Sequence, residues 1–178
     1  MQRLQAALDH TQRQISSGRR ILTPSDDPLA AARALEIRES IGRLEQFDRN
    51  ASVANSRLAQ EESSLGSVNN VLQRVRELAL QANNATQSIE SRQLFAVELR
   101  ESLDQLVQIA NQKDGNGKYL FSGNRDSTTP VTRMGAQFTY NGDQGQRFIQ
   151  ISEGRQVADG DSGAAVFFNI RAGNGSFT

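Results

Sequence analysis

The chain has 178 residues, enough for one or two domains, with 37% hydrophobic residues, only 6% aromatic ones and no Trp. Twenty basic and twenty acidic residues are interleaved and sum to zero formal net charge, which speaks against nucleic-acid binding, where a basic excess or stripe is the rule. No cysteine is present, so a disulfide framework, thiol catalysis and thiolate metal sites are excluded, and no apolar run approaches the roughly 18 residues that span a bilayer.

Scarce aromatic bulk suits a thin helical bundle, in which Leu, Ile, Val and Ala fill the seam between helices. The first element is expected at about residues 2–17, with Leu4, Leu8, Thr11 and Ile15 at helical spacing. Met1 to Gln5 already belong to this amphipathic pattern, so no cleavable signal peptide is read there. Gly18 is the expected helix stop. After a short connector, Thr23-Pro24-Ser25-Asp26-Asp27-Pro28 reads as a helix start, with Asp27 as N-cap and Pro28 at the first helical position.

A heptad pattern follows. Stepping by seven gives Ile37, Leu44, Ala51, Leu58, Leu65, Leu72 and Ala79, all apolar. The companion series Ser40, Phe47, Ala54, Glu61, Val68, Val75, Ala82 is apolar except at Ser40 and Glu61. A 3.5-residue period sustained this long predicts one coiled-coil-like helix over about 28–83, with Leu58 and Leu65 in its buried seam. Such a helix needs partners to cover its stripe. Asn83-Asn84-Ala85-Thr86 ends it, and a third helix is expected at about 88–112, folded back antiparallel, with Ala96, Leu99, Leu103, Leu106 and Ala110 on its inner face.

Past Lys113-Asp114-Gly115-Asn116-Gly117, a turn, the pattern changes to short extended segments. Strands are expected at 118–121, at 136–140 and 147–151 as a hairpin around Asn141-Gly142-Asp143-Gln144-Gly145, and at 164–170, with 123–135 as loop. The fold class is therefore mainly α with a β-rich appendage: an elongated antiparallel helical rod over 1–117 and a small β-rich outer domain over 118–178, which the Gly-rich ending leaves incomplete.

Signals for chemistry are weak. His10 is the single histidine and has no companions in sequence for a triad or a metal site. Asp114-Gly115-Asn116-Gly117 lacks the closing Glu of a calcium loop. Adjacent carboxylates such as Glu61-Glu62 point in different directions on a helix. No catalytic, cofactor-binding or metal residues are assigned, and no cofactor is expected. The reading is of a structural protein rather than an enzyme. One candidate contact surface stands out, the charged strip Arg74, Arg76 and Glu77 beside Leu72 and Val75.

Three segments carry a family resemblance. Residues 15–31, from Ile15-Ser16-Ser17-Gly18 through Asp26-Asp27-Pro28, resemble the join between the first two helices of the bacterial flagellin superfamily. Residues 72–86, beginning Leu72-Gln73-Arg74-Val75-Arg76, resemble the end of its long rod helix, and Gly117-Lys118-Tyr119-Leu120-Phe121-Ser122-Gly123 the step into its outer domain. The Thr-Pro-Ser-Asp-Asp-Pro run and Tyr140-Asn141-Gly142-Asp143 are most similar to the hook–filament junction (hook-associated) branch. That resemblance implies an extracellular flagellar adaptor between hook and filament, exported by the flagellar secretion apparatus without signal cleavage. Its implied partners are neighbouring copies in a ring, the other hook-associated protein, filament flagellin and an export chaperone, with neither nucleic acid nor membrane among them. Against the family pattern the sequence reads as shortened at both ends. Two alternatives stay open: filament flagellin itself, and a non-flagellar extracellular ligand-binding module on a helical stalk. The latter would display an apolar patch at Phe138, Tyr140 and Phe148.

Overall fold

The structure, a computed structural model, describes residues 1–84 and 86–169. Three helices come first: α1 (Gln2–Ser17), α2 (Pro28–Ala82) and α3 (Ile89–Ala110). Strands β1 (Val131–Met134), β2 (Gln137–Tyr140), β3 (Phe148–Ser152) and β4 (Arg155–Ala158) follow, and then a single π-helical turn at Ala164–Phe168. The protein is mainly α with a β-rich appendage. It forms two compact units, Met1–Asp48 and Arg49–Thr178, and α2 contributes to both.

In the first unit α1 ends where expected. Gly18 takes the left-handed conformation (φ 64°) and its N–H donates to Ile15 O, which closes the last turn at a position where a Cβ would be strained. The connector then winds around Asp26. Its Oδ2 accepts the N–H groups of Thr23 (2.8 Å) and Leu22 (2.9 Å), and these two bonds hold its carboxyl well below the ordinary carboxylate range. His10, which has no companion in sequence, has one in space: its Nε2 lies 3.2 Å from Asp26 Oδ1. Next door, Asp27 Oδ1 accepts Ala30 N–H at 3.0 Å, the capping bond predicted ahead of Pro28.

In the second unit α3 runs antiparallel to α2. Ser64 bonds Gln112 (2.7 Å) while Arg74 bonds Glu98 (2.7 Å), so rising numbers on one helix meet falling numbers on the other. Ser88 caps α3 by accepting Ser91 N–H at 3.1 Å. On α3 Ala110 is buried, Ala96, Leu99 and Leu106 are half-buried, and Leu103 lies at the exposed rim.

The 3.5-residue period of α2 is present, but its phase differs from the expected one. The buried residues are Ala54, Arg57, Glu61, Ser64, Val68, Val71 and Leu78. Leu58 is 37% exposed and Leu72 50% exposed, and Leu65 is half-buried. The stripe is thus rotated toward the series 57, 64, 71, 78. Apolar scoring could not anticipate this, because three of the buried positions are polar and are satisfied by groups far along the sequence.

The β appendage departs further from expectation. Val131–Met134, read as loop, forms β1 and pairs with β2 in the register Val131↔Tyr140 to Met134↔Gln137. The segments 136–140 and 147–151 do not pair with each other. β3 pairs with β4 instead, from Phe148↔Ala158 to Ser152↔Arg155, with an irregularity after Gln150. The intervening loop cannot act as a hairpin turn because its donors are used elsewhere: Asn141 N–H on Pro130 O (2.8 Å) and Asp143 N–H on Ser122 O (3.2 Å). Residues 118–121 form no strand beyond a single bridge, Lys113↔Tyr119. They act as a plug, with Leu120 and Phe121 buried.

The expected strand at 164–170 is helical over Ala164–Phe168, and Ile170 lies outside the described residues. Ser162 O accepts Val166 N–H (3.2 Å) and Ala164 O accepts Asn169 N–H (2.7 Å). The wide turn sets two adjacent aromatics on two targets. Phe167 meets Phe121 edge-on (5.2 Å between centroids, 84° between planes), and Phe168 meets Tyr140 at 5.5 Å.

Candidate functional site: a charged strip and the buried brace beside it

The three strip residues lie on an exposed stretch of α2. Arg74 is committed within the molecule. Its Nη2 is 2.6 Å from Glu98 Oε1 on α3, and its Nη1 is 3.4 Å from Glu77 Oε2. All three of these paired residues keep about half their side-group surface in water, so such pairs are worth only about 0–1 kcal/mol each. Arg76 forms no ion pair with the described residues. It stands between the exposed Leu72 and Leu80 on one helix face, an apolar–cationic–apolar row at i, i+4 spacing. The structure therefore separates the strip into a bridging arginine, Arg74, and a free-standing one, Arg76.

Sequence reading missed a second constellation. Arg57 is 8% exposed, and its Nη1 lies 2.5 Å from Asp114 Oδ2, in the turn after α3. Its Nε is 3.6 Å from Asp159 Oδ2, just past β4. Asp159 is 3% exposed and is also gripped by Arg147, at 3.0 Å from Nε and 2.5 Å from Nη2. Arg147 reaches Asp126 (3.6 Å), which Lys118 Nζ approaches at 3.1 Å. Three cations thus face three aspartates, so the row of ion pairs is balanced. Among the described residues no buried side-chain nitrogen or oxygen lacks a partner. Against the opposing pull of burial, the N–H groups of Lys118 and Asn116, and then Arg57, hold the Asp114 carboxyl below its ordinary range. The brace ties α2 to the α3–β1 connection and to the end of the β3–β4 hairpin. Nothing in the local sequence marks it, because Arg57 lies 57 residues from Asp114 and 102 from Asp159.

Glu61, the off-pattern residue of the heptad, sits one turn along and is 5% exposed. Its Oε1 accepts Asp161 N–H at 2.9 Å. Burial raises its pKa above the ordinary 4.5, opposed by that hydrogen bond and by Arg57 and reinforced by the negative charges of Asp161 and Asp159. A carboxyl with a raised folded pKa contributes stability that is fully present below its unfolded pKa and is lost as pH rises through the folded one. Glu61→Gln removes this titration while its amide oxygen can still accept from Asp161. The variant should therefore gain melting temperature relative to the parent as pH is raised from about 4 to 7. A parallel offset across that range in calorimetry would contradict the assignment. Asp114 and Asp126, whose pKa values are lowered, act oppositely: their contribution is lost as pH falls.

The appendage offers little for ligand capture. Phe138 and Tyr140 are half-buried: Tyr140 OH bonds Phe121 O at 2.9 Å, and Phe138 lines a groove beside α3. Phe148 alone of the three is exposed. A groove of about 210 Å³ beside α3 is lined by apolar residues, including Leu106, Val107, Val131, Phe138 and Phe167. Ligand pockets ordinarily add a few placed polar groups to fix orientation, and the described lining residues supply none from their side groups.

Among the described residues, the α2–α3 hairpin is braced by internal ion pairs to the α3–β1 connection and to the end of the β3–β4 hairpin. The protein belongs to the family of the bacterial flagellin N-terminal helical region, whose pattern it matches over residues 1–126. It is similar to flagellar hook-associated protein 3 of Salmonella typhimurium, with 32% identity over 157 residues, covering 88% of this chain and 49% of that protein. A phase 1 flagellin of Salmonella naestved is 35% identical over 118 residues, 66% of this chain and 23% of the flagellin. Among solved structures, flagellar hook-associated protein 3 of Legionella pneumophila superposes with a TM-score of 0.72 and 41% identity, over 75% of this chain and 41% of that one. The sequence spans about half the length of the hook-associated proteins it matches.

Proposed function

We propose that this protein is the N-terminal part of the adaptor that joins hook to filament in the bacterial flagellum. One observation carries the choice of the junction over the filament: the match to hook-associated protein 3 runs over 157 residues. It therefore reaches past the helical region matched at 1–126, whereas the flagellin match covers only 118 residues, fewer than that region. In this reading the helical part, 1–117, packs against neighbouring copies in a ring, and the β-rich part, 118–178, is the outer portion. The remaining partners are the other hook-associated protein, filament flagellin and an export chaperone. The route is the flagellar secretion apparatus, without a cleaved signal, to an extracellular position.

Arg76, with Leu72 and Leu80, is the proposed subunit contact of the strip, while Arg74 bridges to Glu98 on α3 beside it. Deleting the full-length gene should leave hooks in place while filament subunits are secreted unpolymerised. Filaments of normal length in that strain would sink the junction reading. Complementation with Arg76→Glu tests the strip: export without restored filaments is the expected outcome, and full restoration would remove Arg76 from the contact.

A further inference from the structure

We infer that Asn116–Gly117 is a spontaneous modification site, at which the asparagine converts to aspartate and isoaspartate, and that this conversion loosens the Arg57–Asp114 brace. The sequence has three Asn-Gly pairs, at 116–117, 141–142 and 174–175, and the last lies outside the described residues. The structure places the first two in opposite situations.

Asn116 is exposed in the turn after α3, and its carboxamide makes no hydrogen bond with the described residues. Gly117, at φ 77°, is also exposed, and only a single turn bond, to Asp114 O at 3.0 Å, holds its N–H. Nothing crowds that position: a Cβ built on Gly117 would meet nothing within 4 Å. Asn141 is half-buried, and its Nδ2 donates to Thr132 Oγ1 at 3.0 Å. Around Gly142 the space is filled: a Cβ there would come within 2.8 Å of Ser122 O. The ring closure that begins the reaction needs a carboxamide free to swing and open room around the following glycine, as exposed loop tips provide. Of these two pairs, only the first has both.

The chemistry balances with water as the one co-reactant. The Gly117 nitrogen attacks Asn116 Cγ, and a new C–N bond closes a succinimide. The bond between Cγ and Nδ2 breaks to release ammonia, which carries away the proton from Gly117. Water then opens either ring C–N bond. One opening leaves an aspartate in a normal backbone. The other leaves isoaspartate, with the backbone rerouted through Cβ and Cγ and lengthened by one methylene.

Both products bear on the brace. Asp114 Oδ1 accepts the N–H groups of Asn116 (2.8 Å) and Lys118 (2.9 Å), and these bonds orient the carboxylate whose Oδ2 meets Arg57. A new carboxylate at 116 adds a like charge two residues from Asp114. The extra methylene displaces the N–H groups on either side.

The test ages the purified polypeptide of 178 residues for weeks at growth temperature and mildly alkaline pH. Peptide mapping by mass spectrometry and labelling by an isoaspartyl methyltransferase follow the two positions. Conversion at 116 should run several times faster than at 141, the aged parent should melt below the fresh one, and aged Asn116→Ser should melt as its own fresh sample does. Equal or faster conversion at 141, or an intact position 116 over a period in which a free peptide spanning 112–120 converts, overturns the site. Isoaspartate at 116 with an unchanged melting temperature overturns its link to the brace.

Discussion

Arg57→Ala should destabilise the second unit by about 3–5 kcal/mol, the usual cost of removing one partner from a buried ion pair. The reason is what it leaves behind. Asp114 and Asp159, both nearly inaccessible to water, would lose the cation between them. Asp159 keeps Arg147 and Asp114 keeps its two backbone donors, so the full cost of two isolated charges is not reached. For a unit of this size such a loss corresponds to a melting shift of roughly 10–20 °C. Arg57→Ala combined with Asp114→Asn should recover part of it, because the second change removes one stranded charge. The coupling is read from a double-mutant cycle by thermal or urea unfolding. Strict additivity would show that the two residues do not interact as the geometry has it.

Phe121→Ala should cost a similar amount, about 3–5 kcal/mol, by a different mechanism. Phe121 is fully buried and packs edge-on against Phe167. Its own carbonyl accepts both Gly163 N–H and Tyr140 OH at 2.9 Å. These three contacts hold the 118–121 plug, the β2 end and the π-helical turn together. A cavity there loses packing on every side, and the backbone bonds that Phe121 makes depend on the plug staying seated. Phe121→Leu, which keeps most of the volume, should cost clearly less. Near-UV circular dichroism should report loss of the aromatic signal in the alanine variant before far-UV helicity falls. Simultaneous loss of both would instead make the helical hairpin dependent on the appendage.

Legibility differed sharply between the helical and β regions. The helices were readable because their determinants are local. Gly18 needs only its own φ to stop α1, Asp27 reaches three residues ahead to cap α2, and Asn83-Asn84 and Ser88 punctuate the sequence within a few positions. β1 is hard to read from sequence because Val131–Met134 is short and follows a polar, loop-like run, and its partner strand is chosen by the two-residue connection Gly135-Ala136. The 141–145 loop looked like a hairpin turn until its N–H groups were seen to be spent on Pro130 and Ser122 carbonyls. At 164–168 the run Ala-Ala-Val-Phe-Phe has strand-like composition, but adjacent Phe167 and Phe168 serve two different aromatic targets, which an extended strand would send to opposite faces.

The charged strip was visible as composition, yet its division into a bridging Arg74 and a free-standing Arg76 depends on Glu98, which α3 brings alongside. The brace was not visible at all. Arg57 and Glu61 interrupt an apolar pattern, and a sequence shows only the interruption, not the aspartates and backbone donors that compensate it from 57 or more residues away.

The amino-acid sequence by itself determined the period of α2, its start at Asp27-Pro28, its end near Asn83 and the mainly α class with a β-rich appendage, each set by steric and hydrogen-bonding preferences that act over a few residues. The flagellin-type order of segments was legible only as a resemblance of residues. Tertiary structure decided the phase of the buried stripe, the pairing of the strands and the ion-pair brace. A helix of fixed period can present either neighbouring row to its partner, and the choice falls to the groups that can satisfy Arg57, Glu61 and Ser64 once they are taken out of water.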